Sequence, residues 1–276
     1  MQFFVAPRRR SIVRAYRIAY DGTDYHGFQR QPDVPTVEGT LLDALSDLGV
    51  LEGADTPPRY AAAGRTDAGV SALAQTVAFD APAWLSPAAL NSELPAAVRA
   101  WASADVRPDF HATHHARSRE YTYFLFGPHA DESRVRAALE ALSGERDFHN
   151  LTPDGSGTRR RLSTTLSRDG PFLVIRFRAG GFPRQLVRRA VSLVASVARG
   201  ERTVDEIERI LGPEPLLGPD GIQPAAPEPL VLSDVSYDVQ FTPDDEAVRS
   251  TRGSFRRRYV ERAGRARVAE RILEGL

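Results

Sequence analysis

The chain has neither cysteine nor lysine, a single methionine and two tryptophans in 276 residues. Without cysteine there is no disulfide, no thiolate nucleophile and no thiolate metal site, so covalent chemistry falls to Asp, Glu, Ser, Thr, Tyr or His. Without lysine, Schiff-base chemistry and a Gly-Lys phosphate loop are closed as well. All 36 basic residues are therefore arginines. No apolar run approaches the ~20 residues that span a bilayer. Met1 to Arg10 carries its arginines after its apolar residues, the reverse of a secretory signal. These features predict a cytoplasmic protein with no membrane association.

What is present is ordinary for a globular chain: 42% hydrophobic and 26% charged residues, enough to bury a full core in one large or two smaller domains. Net charge is zero, with 36 basic against 36 acidic residues, which argues against a uniformly basic nucleic-acid binder. The distribution is uneven. Arg8, Arg9, Arg10, Arg14 and Arg17 crowd the start, and nine arginines from Arg249 to Arg271 crowd the end, while residues 201–220 are acidic. Patches of one sign on a neutral protein can steer a polyanion, and an arginine-rich terminus can equally be a solvated helix or a frayed tail.

Periodicity orders the elements. Residues 11–20 alternate as a strand closed by Asp21-Gly22. Thr36 fits an N-cap, and Val37, Leu41, Leu42, Leu45 and Leu48 recur at helical spacing up to Gly49. Strands over 59–63 and 72–80 flank a glycine turn, Ser86-Pro87 opens a short helix ending by Leu94-Pro95, and 97–106 is a strand. Residues 1–106 thus read strand, helix, strand, strand, helix, strand, a ferredoxin-like order. Residues 107–276 repeat it: a strand over 120–126, a helix over 131–143, a hairpin at Asp169-Gly170, helices over 182–199 and 204–211, and a strand over 231–239. The Pro- and Gly-rich stretch 212–229 reads as a loop, and a basic C-terminal tail follows the last strand. The expected fold class is α+β, two ferredoxin-like halves whose antiparallel sheets join around a central cleft.

The stretch Gly64-Arg65-Thr66-Asp67-Ala68-Gly69 delivers a strand into a tight turn, because two glycines tolerate positive φ and close backbone approach. Asp67 is presented rather than buried. Taken alone, an Arg and an Asp between glycines describe a surface turn. Tyr121 and Tyr123 share one face of a strand, where an aromatic usually packs in a core. Arg188 lies beside the apolar face made by Val187, Val191, Val194 and Val197, where a basic group needs a partner. His111, His114 and His115 have a spacing that could hold zinc on a helix, but no further ligand completes a set, so no metal is expected.

Taken together, the motifs resemble the tRNA pseudouridine synthase A family. Gly64 to Val70 is similar to its signature loop, and Tyr20-Asp21-Gly22 through Gly27-Phe28-Gln29-Arg30-Gln31 to its opening segment. Thr36-Val37-Glu38-Gly39 resembles the start of its first helix, Arg119-Glu120-Tyr121-Thr122-Tyr123 its second motif, and Phe182-Pro183-Arg184-Gln185 through Arg189 its third. Two departures are Ser71, where the family usually has His, and Phe28, where it usually has Trp.

The resemblance implies an RNA-binding isomerase that converts uridine to pseudouridine at positions 38, 39 and 40 of the anticodon arm of tRNA, without a cofactor, as a homodimer. It assigns Asp67 as the catalytic carboxylate, Arg65 as the group that fills the gap left by an extruded base, Tyr121 as the platform beneath the uracil, and Arg188 as the partner that keeps Asp67 charged. A carboxylate in an arginine-lined RNA cleft repels the phosphates that the arginines attract, which points to a reaction at that carboxylate. A catalytically silent RNA-binding protein on the same fold is the alternative. A metal-dependent nuclease is a third reading, disfavoured by the scarcity of clustered carboxylates.

Overall fold

The computed structural model describes residues 11–51, 53–216 and 221–276. Arg8, Arg9 and Arg10 of the N-terminal basic cluster lie outside the described residues, as do residues 217–220 of the expected loop.

In the first half, β1 (Ser11–Tyr20), α1 (Val37–Asp47), β2 (Ala61–Ala62), β3 (Ser71–Pro82), α2 (Pro87–Leu90) and β4 (Val98–Asp105) follow the predicted order. Thr36 caps α1 by accepting from the Gly39 amide at 3.1 Å, a contact worth about 1 kcal/mol. The second half contains β5 (Ser118–Phe126), α3 (Glu132–Leu142), β6 (Gly144–Asp147), β7 (Arg159–Asp169), β8 (Phe172–Ala179), α4 (Leu186–Ala198), α5 (Val204–Ile210) and β9 (Leu230–Ser236). The chain closes with β10 (Thr242–Pro243) and α6 (Asp245–Glu274).

The strands of this mixed α/β fold form one ten-stranded sheet in the order β10-β4-β1-β3-β9-β5-β8-β7-β6, with β2 also pairing on β3. Its pairings are antiparallel except one. β3 and β9 run parallel over only two residue pairs, Ser71 with Val231 and Ala72 with Leu232, and this seam joins the two halves. The apolar core falls into two clusters. One is built around Tyr16, Ile18, Leu41, Leu45 and Phe79, the other around Val135, Leu142, Phe148, Phe177 and Val194. Tyr121 packs against both.

Several boundaries differ from the periodicity, each for a physical reason. α2 stops at Leu90, because Asn91 turns its side chain away to bond both the amide and the carbonyl of Ala100 on β4. α4 begins at Leu186, not Phe182, since Gln185 sits in the left-handed region at φ 59 and breaks the helical path. β6 has no apolar alternation and exists through its pairing with β7. The C-terminal arginines are carried by a 30-residue helix, not a frayed tail.

α6 lies against β4 and α2 through its first turns, where Ala247 and Ser254 are buried. Further along, Arg258 and Arg262 reach the carboxylate of Asp21 at 2.7 and 2.5 Å. That carboxylate is 3% exposed and also accepts from the Thr23 amide and hydroxyl. Burial opposes its charge, but the Thr23 hydrogen bonds and the two guanidinium groups hold its pKa below the usual carboxylate range. A depressed folded-state pKa gives stability that is present above the unfolded value and lost as pH falls through the folded value. Asp21→Asn is therefore expected to lower Tm at neutral pH, with the gap to the parent closing as pH falls through and below the carboxylate range. Thermal melts between pH 7 and pH 3 check this, and a gap that stays constant would exclude the ion pairs as its cause.

Candidate active site

The turn between β2 and β3 stands immediately before the seam, so Asp67 reaches the junction of the two halves by chain connectivity alone. The turn is held from both sides. The Val70 amide donates to the Asp67 carbonyl at 3.2 Å, the Phe28 amide to the Thr66 carbonyl at 3.0 Å, and the Gly69 amide to the Tyr25 carbonyl at 3.2 Å. Beneath it the hydroxyls of Thr66 and Tyr20 lie 2.7 Å apart, both buried. Ser71, where the resemblance leads one to expect histidine, accepts from the Gly22 amide at 3.1 Å. Phe28, at the usual tryptophan position, is buried beside the Tyr20 ring.

Asp67 opens into a cleft of about 660 Å³ whose walls come from both halves. All four residues that the resemblance assigns to the site line it: Arg65, Asp67, Tyr121 and Arg188. An Arg188 Nη1 lies 3.4 Å from an Asp67 carboxylate oxygen, while its Nε donates to the Ala225 carbonyl at 2.7 Å. The Asp67 side chain is 30% exposed, so the pair remains reachable from the cleft. Arg65 is exposed at the wall and has no hydrogen-bond partner among the described residues.

Tyr121 lies on β5 at a register irregularity against β9, and its ring meets Phe182 edge-on at 5.2 Å. Burial first, then the nearby Asp67 carboxylate, push its phenol up to about 12, so it stays protonated at neutral pH. Tyr123, two residues on, is 4% exposed and belongs to the second core, in line with a packing role. The opposite wall carries Arg184, whose amide and Nε both bond the Asp154 carboxylate at 2.8 and 2.5 Å.

The three histidines bond locally. The His111 amide donates to the His115 Nδ1 at 2.8 Å, and the rings of His111 and His114 lie 4.2 Å apart. Among the described residues no three His, Asp or Glu side chains converge on a point that could hold an ion.

Two features went unread in the sequence. Arg119 is buried and bonds backbone carbonyls around the cleft; its signal was a charge in phase with the packed Tyr121 and Tyr123. The Asp154–Arg184 contact spans 30 residues of chain and left no periodic trace.

With this geometry in place, comparison with known proteins gives a consistent result. A family model described as tRNA pseudouridine synthase matches residues 138–238. The chain is 58% identical over 275 residues to tRNA pseudouridine synthase A of Haloarcula marismortui, covering 96% of this chain and 100% of that protein. It is 61% identical over 260 residues to the enzyme of the same name from Natronomonas pharaonis, covering 93% and 97%. Among solved structures, a Cbf5–Nop10–Gar1 complex aligns with 71% of this chain and 54% of its own at 11% identity and a TM-score of 0.29, too distant to bear on the fold.

Proposed function

This chain belongs to the tRNA pseudouridine synthase A family, and from that premise we propose that Asp67 is the catalytic carboxylate of an isomerase acting on uridines 38, 39 and 40 of the tRNA anticodon arm. It is an enzyme, a pseudouridine synthase. The relatives give no support to a catalytically silent RNA-binding protein. One observation carries the assignment of the site: Asp67, Arg188 and Tyr121 come from three separate motifs and converge on a single cleft at the seam between the halves.

The net reaction exchanges the C1′–N1 bond of uridine for a C1′–C5 bond, with the C5 proton lost and N1 protonated, so it is redox-neutral. The target nucleotide must leave its stack to reach Asp67, and the cleft is of a size to take one. Arg65, exposed and without a hydrogen-bond partner among the described residues, supplies a planar guanidinium that can enter the vacated space or hold a phosphate. Tyr121 offers its protonated ring as a stacking platform, worth about 1–3 kcal/mol per base. Arg188 sets its guanidinium 3.4 Å from the Asp67 carboxylate and so orients it toward the cleft.

The strand orders β4-β1-β3-β2 and β9-β5-β8-β7 repeat, which supports reading the molecule as two ferredoxin-like halves, residues 1–106 and 107–276. α6 then lies across the first half. Its Arg258 and Arg262 are occupied by Asp21, and Arg265, Arg267 and Arg271 pair with glutamates of the same helix. Arg249, Arg252, Arg256 and Arg257 have no carboxylate partner among the described residues and are the best placed to meet phosphates. Among the described residues no helix is long and apolar enough to cross a membrane. The reading includes a cytoplasmic homodimer, in which the second subunit grips the body of a tRNA much longer than one chain.

Incubating the purified protein with unmodified tRNA and mapping pseudouridine tests the assignment. Product is expected at positions 38, 39 and 40, from a particle of twice the chain mass, and turnover is expected to survive EDTA. Pseudouridine confined to the T arm would overturn the target, and a loss in EDTA restored by zinc would return the histidines to the reaction.

A further inference from the structure

Arg119 precedes Tyr121 on β5, is 9% exposed, and uses four of the five N–H groups of its guanidinium on backbone carbonyls. Its Nε and Nη2 both donate to the Ala63 carbonyl, at 3.0 and 2.6 Å. Nη2 also donates to the Thr113 carbonyl at 2.9 Å, and Nη1 to the Gly180 carbonyl at 2.6 Å. No carboxylate lies within ion-pair distance among the described residues. A buried cation held only by carbonyl dipoles is costly to build, so its placement calls for an account beyond packing.

The three acceptors belong to three stretches that each run into the cleft. Ala63 stands where the β2–β3 pairing ends and leads directly into Gly64, Arg65 and Asp67. Gly180 follows the last residue of β8 and leads through Gly181 to Phe182, Arg184 and Arg188. Thr113 lines the cleft and donates its own hydroxyl to the Ala62 carbonyl at 2.5 Å. Both strand ladders stop at these points, and Gly180-Gly181 brings no side chain to hold the wall that follows.

We propose that Arg119 is a positioning residue for the isomerisation. Its rigid fork sets the separation between the Asp67 turn on one wall and the Phe182–Arg188 segment on the other, so that Asp67 meets Arg188 beneath Tyr121. The inference rests on the reading of Asp67 as the catalytic carboxylate. A lysine ammonium presents its donors from one point and cannot bond carbonyls on both walls in this geometry, so charge alone does not replace the fork.

The test compares Arg119→Lys and Arg119→Met with the parent protein, and runs Asp67→Asn beside them. Turnover of unmodified tRNA is normalised to folded protein by circular dichroism and gel filtration, and kcat and KM are separated. Both Arg119 variants are expected to lose about 100-fold in kcat per folded molecule, the effect of a roughly 1 Å misplacement, with KM for tRNA within threefold of the parent. Unchanged kcat in the folded fraction, or loss of the fold in both variants, would reduce Arg119 to a scaffold residue. A raised KM at constant kcat would make it an RNA contact, and full recovery in Arg119→Lys would show that charge suffices; either result overturns the proposal. Wild-type turnover in Asp67→Asn would instead remove the reading of Asp67, whatever the Arg119 variants do.

Discussion

Asp67→Asn is expected to reduce pseudouridine formation by roughly 10³-fold or more while leaving tRNA affinity unchanged or slightly tighter. The magnitude follows from the range of carboxylate-dependent proton transfer, about 10²- to 10⁴-fold, to which any nucleophilic role adds. The substitution is nearly isosteric, and the turn that presents residue 67 is held by backbone bonds at Thr66, Gly69 and Val70, none of which needs the carboxylate. Arg188 also keeps its bond to the Ala225 carbonyl, so the wall opposite does not collapse. Affinity is spared because a negative charge leaves a cleft that contains Arg65, Arg160 and Arg184 and receives a polyanion. Single-turnover rates and equilibrium binding on the same tRNA separate the two quantities. Retained turnover in a contaminant-free preparation would remove Asp67 from the chemistry.

Gly22→Ala carries the second large effect, and it acts from a residue outside the cleft on the backbone of Val70, which lines it. A Cβ at position 22 would stand 2.0 Å from the Val70 carbonyl oxygen and 2.5 Å from its carbon. Both are backbone atoms and cannot rotate aside. Either the Asp21-Gly22 turn moves, straining the contacts of Asp21 with Arg258 and Arg262, or Val70-Ser71 moves. The second route breaks the bond between the Gly22 amide and Ser71 and pulls on the Val70 amide that closes the Asp67 turn. Overpacking of this kind costs about 1–3 kcal/mol, and a displacement of about 1 Å at the reacting group costs on the order of 10² in rate. A clear fall in Tm and at least a 100-fold fall in kcat of the folded fraction are therefore expected. Gly49→Ala is the control: its φ is 68, but nothing lies within 4 Å of its Cβ, so stability should fall by about 1 kcal/mol with activity intact. Equal behaviour of the two variants would show that the Gly22 contact does not set the turn.

Local order was legible wherever a residue's partners lie nearby in the chain. Thr36 and Asp131 announced their helices because each cap is completed within three residues. The turn around Asp67 was legible because its glycines and its charge sit side by side. Misreadings fell where the determining contact was remote or the pattern mute. The start of α4 depends on Gln185 adopting a left-handed conformation, whereas the sequence pattern reads as helix from Phe182. α6 buries only Ala247 and Ser254 along its length, so no apolar stripe marks it. Its capping Asp244, acidic first turn and close-spaced Arg–Glu pairs favour a helix locally, and its attachment to the body comes from remote partners, β4 and α2 along its first turns and Asp21, some 240 residues away, further on.

The residue types of the site were determined by the sequence alone. The absence of cysteine and lysine removes thiolate and Schiff-base chemistry, and the resemblance of the motifs picks out Asp67 with Arg65, Tyr121 and Arg188 from the residues that remain. Their convergence was decided only by the tertiary structure. The seam of two parallel residue pairs between β3 and β9 brings the two halves together, and Arg119 spans the walls that meet there. Neither leaves a periodic signal, because register between distant strands and hydrogen bonds to backbone carbonyls depend on where the chain returns and not on which side chains are neighbours in sequence.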